Sequence, residues 1–132
     1  MAPDRYERGL EVLREIDPTM AEQLRGKLGD LAPDLERMVV AFGFGDVYGR
    51  PGLGLREREI ATVAALTALG TAERQLRVHL RAALNVGVSR EELVEVVMQM
   101  AVYAGFPAAL NGISAIRQVF AEADAAGDGK RP

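Results

Sequence analysis

From Tyr6 to Phe120 the apolar side chains recur at three- and four-residue intervals, and nowhere does the chain sustain the every-second-residue alternation of a half-buried strand. Hairpin signatures such as Asn-Gly between β-branched runs are missing as well. This pattern predicts an all-α fold, a compact bundle of about six to seven helices. A length of 132 residues gives one domain with its own core and leaves too little for two ordinary ones. Residues 1–126 are therefore read as a single helical domain and 127–132 as a disordered tail.

A first helix is expected to carry Tyr6, Leu10 and Leu13 on one face. A second is expected to start at Asp17-Pro18, with Asp as N-cap and Pro at the first helical position, and to align Met20, Leu24 and Leu28 before Gly29. A third sets Leu35, Met38, Val39 and Phe42 on one side and ends in the turn-rich segment Gly43 to Gly54. The fourth, from about Arg56 to Leu69, begins charged and then turns apolar on every side from Ile60, which predicts burial all round. In so short a chain that points to a subunit interface. A helical hairpin follows: Thr71 as cap, a helix through Val86, Gly87 at its end, and Ser89 with Glu92 as a capping box for the next helix. A last helix after Phe106-Pro107 carries Ala109, Ile113, Ile116 and Phe120 in line.

Composition removes several classes of chemistry. With no cysteine there are no disulfides, thiolate metal sites or thiol nucleophiles, and a single histidine, His79, rules out a multi-histidine metal site within one chain. Sixteen Lys and Arg against 19 Asp and Glu give a formal charge of -3, which offers no global attraction to nucleic acid or anionic lipid. The N-terminal stretch is charged and lacks the apolar core of a secretory signal, and Ile60 to Leu69 is about half of a bilayer span. The expected address is the cytoplasm, with no membrane partner.

His79 shares a helix with Leu76, Leu80 and Ala83 at offsets that bring it toward the apolar face, half-buried, where an imidazole is able to exchange a proton near neutral pH. A satisfied structural histidine is the plain alternative. Glu95 and Gln99 lie one turn apart on the following helix and, with Glu92, form a polar stripe opposite Leu93, Val96, Val97 and Met100. Such a stripe is either a solvated face or one wall of a cavity, and the tight turn at Gly87 brings Glu95 within conceivable reach of His79. Glu73 and Arg77 form an ordinary surface pair. Arg50 and Arg58 are better placed to fork onto a carboxylate, or equally to form structural ion pairs. Tyr48 and Tyr103 suit a pocket wall or a core edge alike.

Three segments carry a likeness: RYERGLEVLRE, FGDVYGRPGLGLREREIATVAALTALG, and LRVHLRAALNVGVSREELVEVVMQMAVYAGFPAALN. Together they resemble the carboxymuconolactone decarboxylase family from Arg5 to about Phe120. The resemblance implies an alkylhydroperoxidase D-like helical protomer assembling into a trimer or hexamer. It also implies a cofactor-free lyase in aromatic-compound metabolism, a decarboxylase acting on gamma-carboxymuconolactone or a related carboxylated ring. The family's motif positions fall on Arg50, Arg58, His79, Glu95 and Tyr103, with His79 and Glu95 as the acid–base pair and Arg50, Arg58, Gln99, Tyr48 and Tyr103 around the substrate. The family pattern carries a second histidine where this chain has Gln99 and a tryptophan where it has Tyr48. The redox branch of the superfamily needs a CxxC pair and is excluded by the lack of cysteine. An isomerase, cyclase or dehydratase with the same pocket, and a non-catalytic binding oligomer, are the competing expectations.

Overall fold

The computed structural model describes residues 4–127, and among these every regular element is helical. The chain falls into two compact units, Met1–Leu55 and Arg56–Pro132. The anticipated tail from residue 128 onward lies outside the described residues.

The first unit holds α1 (Arg5–Ile16), α2 (Met20–Leu28), α3 (Pro33–Met38) and a π-helical stretch, Val39–Val47. Helix α1 is capped by Asp4, whose carboxylate accepts the Glu7 amide at 2.8 Å. It lies tightly against the π-helical stretch because two glycines permit it: a Cβ at Gly9 would strike the Val40 carbonyl, and one at Gly45 the Arg5 carbonyl. The Tyr6 hydroxyl donates to Glu36 at 2.6 Å, and Arg5 and Arg8 both reach Asp46. These bonds fix the same packing along the N-terminal part of α1.

Two sequence expectations change here. Helix α2 starts at Met20 rather than at Pro18, because Asp17 accepts from the Thr19 amide at 3.0 Å and hydroxyl at 2.7 Å, which commits its oxygen to a turn ahead of the helix. The expected apolar face of the third helix is turned outward: Leu35, Met38 and Phe42 are exposed, and Glu36, Val40, Phe44 and Gly45 are buried instead. Glu36, bonded to Tyr6, is the inward residue of α3, which leaves Leu35 and Met38 outside, and from Val39 widening to i→i+5 bonding carries the helix past Gly43 to Val47.

The second unit is built from α4 (Leu55–Leu69), α5 (Glu73–Asn85), α6 (Arg90–Ala104) and α7 (Phe106–Ala125). Its core joins Val63 of α4, Leu76 and Leu80 of α5, Leu93 and Val97 of α6, and Ala115, Ile116 and Val119 of α7. Each fully buried aliphatic side chain contributes about 1.5–3 kcal/mol relative to exposure. Gly112 lets α7 close onto the Val97 and Thr67 methyls, where a Cβ would sit 2.7 and 3.0 Å away. The Ser89–Glu92 capping box forms in full, at 3.0 and 2.9 Å, and Gly87 takes φ +99° in the α5–α6 turn. Thr71 does not cap α5, which begins at Glu73 with Ala72 at the cap position and no side-chain bond. Burial of α4 all round is not reached within one chain: Glu59, Val63 and Thr67 are buried, whereas Ala61, Ala65, Ala68 and Leu69 face outward. Among the described residues no helix is long and apolar enough to cross a membrane.

Candidate active site

The buried face of α4 repeats every four residues, at Glu59, Val63 and Thr67. Thr67 answers its own polarity by donating to the Val63 carbonyl at 2.7 Å. Glu59 has no such local remedy. Its side chain is 0% exposed, and Oε1 lies 2.9 Å from Nδ1 of His79, whose side chain is 14% exposed. A buried carboxylate requires a charged or hydrogen-bonding partner, and the imidazole of α5 is that partner. The arrangement sets Nδ1, rather than Nε2, against the carboxylate. The second oxygen, Glu59 Oε2, is buried with no hydrogen-bond partner among the described residues. An unsatisfied buried acceptor costs on the order of 1–3 kcal/mol, which makes Glu59 a candidate functional group.

The surroundings hold this dyad in place. Leu76 and Leu80 on α5 anchor the helix on either side of His79. Arg56 at the start of α4 meets Glu92 at the start of α6 at 2.6 Å. The Ser89 amide and the Arg56 guanidinium together hold the Glu92 carboxyl below its usual range, and Glu92 in turn raises Arg56. Arg58, next to Glu59 in the chain, is half-buried, and its carbonyl accepts the Thr62 hydroxyl at 2.9 Å. Among the described residues no group of three or more His, Cys, Asp and Glu is arranged to hold a metal ion.

Comparison with known proteins gives this geometry a context. Residues 33–118 match the model of the carboxymuconolactone decarboxylase family. The chain belongs to that family. It is 38% identical over 117 residues to a 4-carboxymuconolactone decarboxylase of Acinetobacter baylyi, covering 88% of this chain and 87% of that one. An uncharacterised 15.0 kDa protein of Paracoccus denitrificans is 31% identical over the same shares of each chain. A nitrosuccinic acid decarboxylase of Metarhizium robertsii is 25% identical over 96% of this chain and 89% of its own. Membership with these relatives makes the protein a decarboxylase-like enzyme, all-α as the family resemblance implied.

The residues singled out in the sequence are distributed unevenly. His79 is half-buried beside the apolar face as its offsets predict, but the carboxylate at its ring is Glu59, on the preceding helix. Glu95 and Gln99 are exposed on α6, and Tyr103 is 77% exposed near its end. Tyr48 and Arg50 belong to the first unit. The Tyr48 ring packs against Phe44 with centroids 5.1 Å apart, and the Arg50 amide donates to the Val47 carbonyl at 3.1 Å. Glu73 and Arg77 pair at 3.2 Å as expected. Glu59 is the residue that the sequence reading passes over, because there it looks like the last charge of a charged first turn. Its signal is phase, since it lies four and eight residues before Val63 and Thr67, on a helix one turn removed from the single histidine.

Proposed function

We propose that the protein removes carbon dioxide from a small carboxylated lactone or related oxygenated ring, with His79 as the acid–base residue and Glu59 as the group that orients it. The His79–Glu59 contact, at 2.9 Å with a fully buried carboxylate, is the observation that supports this most directly. In the reaction the bond from ring carbon to carboxylate breaks. Its electron pair passes through the conjugated double bond into the lactone carbonyl, carbon dioxide leaves, and the resulting dienolate takes a proton on carbon from the imidazolium. The substrate's own carbonyl is the electron sink, so the proposal calls on neither a metal nor an organic cofactor. Arg58 is the proposed partner of a substrate carboxylate. Tyr48, Arg50, Gln99 and Tyr103 are proposed substrate contacts on family resemblance alone, and Glu59 takes the orienting place expected of Glu95.

The two relatives named as decarboxylases take their names from 4-carboxymuconolactone and nitrosuccinic acid, which have one chemical trait in common. Each places a carboxylate where an electron-withdrawing group, a conjugated carbonyl or a nitro group, is able to receive the electron pair. A second reading therefore keeps the dyad and exchanges the ring for an open-chain dicarboxylate bearing such a sink. The deciding experiment measures carbon dioxide release by purified protein from gamma-carboxymuconolactone and from nitrosuccinate. Turnover of the first alone supports the lactone reading and turnover of the second alone the open-chain one. Release from neither, by folded protein, removes both. Assembly into a homo-oligomer, trimer or hexamer, is part of the proposal and is supported by the outward-facing Ala61, Ala65 and Leu69 on α4.

A further inference from the structure

Along α7 the residues Ile113, Arg117, Phe120 and Asp124 follow one another at intervals of four, three and four, so they form a single stripe. The stripe runs beside the ridge of Gly112, Ile116 and Val119, which is buried in the core of the second unit. On α6, Arg90 and Val94 stand one turn apart. These six side chains line an open groove of about 550 Å³ between the two helices. That volume falls within the ~300–1,000 Å³ of small-molecule sites. Val94, Ile113 and Phe120 are half-buried and pack onto the core, so the groove has a fixed apolar floor.

Its charges are unevenly matched. Arg90 meets Asp124 at 2.8 Å, and its guanidinium carbon lies 4.6 Å from the centroid of the Phe120 ring. The Asp124 carboxylate is thereby taken. Arg117 is exposed, with Ile113 one turn before it and Phe120 one turn after, and it has no ion pair or hydrogen bond among the described residues. Its own helix offers no partner either, since the residues three and four positions away are Ile113, Ser114, Phe120 and Ala121. An arginine on a charged helix face is ordinary solvated surface. A guanidinium beside three apolar side chains in a concave groove is instead matched to a ligand with an apolar body and an anionic end. With Arg90 neutralised by Asp124, the excess is one positive charge, which suits a monoanion better than a polyphosphate or a nucleic-acid backbone.

We propose that the α6–α7 groove is an accessory binding site for a small aromatic or unsaturated-ring monocarboxylate, the carboxylate forked by Arg117 and the ring laid on Val94, Ile113 and Phe120. The groove shares no residue with the His79–Glu59 pair or with the proposed substrate contacts. The inference therefore stands on groove shape, apolar lining and charge, and does not rest on the catalytic reading.

Nuclear magnetic resonance of protein labelled at the Ile and Val methyls tests it, with benzoate as the probe and benzamide, the same ring without the charge, in parallel. The ring current of benzoate is expected to move the Val94 and Ile113 methyl resonances saturably, with a dissociation constant roughly in the millimolar range, as one fork and one ring in an open site allow. Benzamide is expected to bind several-fold more weakly. Arg117→Gln, at an exposed position where the helix is retained, is expected to weaken benzoate binding about tenfold or more, and Arg117→Lys, which keeps the charge without the fork, to fall between. His79→Gln is expected to bind benzoate at the groove as the natural chain does. Methyls that stay still, equal shifts with benzamide, or shifts unchanged in Arg117→Gln overturn the proposal. Binding lost in His79→Gln and kept in Arg117→Gln overturns it too, by assigning benzoate to the dyad. Carbon dioxide release enters none of these readouts, so failure of the decarboxylase reading leaves this inference standing, and an active enzyme with an empty groove does the reverse.

Discussion

At the scale of the residue, the proposed chemistry turns on one ring and one carboxylate. Glu59 gives up the hydration of its whole side chain to stand against His79, and the cost is tolerated only because Nδ1 is 2.9 Å away. If His79 delivers the proton, His79→Gln lowers kcat by roughly 10²- to 10⁴-fold, the usual yield of general acid–base catalysis, with the helical circular dichroism unchanged. Glu59→Gln keeps an acceptor at Nδ1 but loses the charge, so its loss is expected to be smaller, about tenfold, and to fall on kcat more than on KM. Glu95→Gln, on the exposed side of α6, is expected to cost less than Glu59→Gln. Steady-state carbon dioxide release from the three variants ranks them, and a Glu95→Gln enzyme slower than Glu59→Gln would return the orienting role to α6. His79 is legible in the sequence because it is the only imidazole and sits in phase with Leu76 and Leu80. Glu59 is hidden by its neighbours, since Arg56-Glu57-Arg58-Glu59 reads as an ordinary solvated first turn until the buried phase of Val63 and Thr67 is extended backwards through it.

At the scale of the element, the glycines separate three situations that the sequence writes identically. Gly26 lies inside α2 with nothing within 4 Å of where a methyl would stand, so Gly26→Ala gains helix propensity and stabilises by about 0.5–1 kcal/mol. At Gly112 the same methyl meets the Val97 and Thr67 side chains at 2.7 and 3.0 Å. Overpacking of about 1–3 kcal/mol outweighs the propensity gain there, and adding Val97→Ala is expected to recover part of it by opening the space. At Gly9 the obstacle is the Val40 backbone carbonyl, which has no rotamer to yield, so Gly9→Ala is expected to be the most damaging of the three. Urea midpoints give the order directly, and a Gly9→Ala variant as stable as the natural chain contradicts the close packing of α1 on the π-helical stretch. That packing also explains why the sequence pattern misleads in this region. Helices α1, α5, α6 and α7 keep the period of an α-helix, and α1 and α6 also carry side-chain N-caps at Asp4 and Ser89. Between Val39 and Val47 the chain instead takes the wider π-helical register where it meets α1 closely at Gly9 and Gly45, so a 3.6-residue period does not carry through it.

At the scale of the whole chain, pH acts on both units from the acid side, and Tyr6 adds an alkaline dependence in the first. Asp46 in the first unit is held below its ordinary value, 3.8, chiefly by its hydrogen bond to Arg5. In the second unit Glu92 is held below 4.5 by the Ser89 amide and Arg56, and Glu122 by Arg81 and Gln118. A carboxyl whose pKa is depressed on folding contributes stability that is complete above its unfolded value and is lost as pH falls through the folded one. Both units therefore share an acid limb, below about pH 5. Tyr6 contributes an alkaline limb: its pKa is raised above 10.0, first by its hydrogen bond to Glu36 and then by desolvation, with Arg25 pulling less strongly the other way. A raised pKa gives stability that is full below the unfolded value and disappears as pH climbs through the folded one. Arg5 and Arg56 are raised too, but from an ordinary value already beyond the range in which a tyrosine titrates. Urea unfolding followed by Tyr6-sensitive ultraviolet absorbance against pH is expected to show a plateau from about pH 5 to 9, a fall below it, and an alkaline fall above it as Tyr6 ionises. Tyr6→Phe lowers the plateau by removing the bond to Glu36 and flattens the alkaline limb, leaving the acid limb in place. An alkaline limb that persists unchanged in Tyr6→Phe assigns it to other groups and removes the Tyr6–Glu36 bond from the account of how the first unit is held.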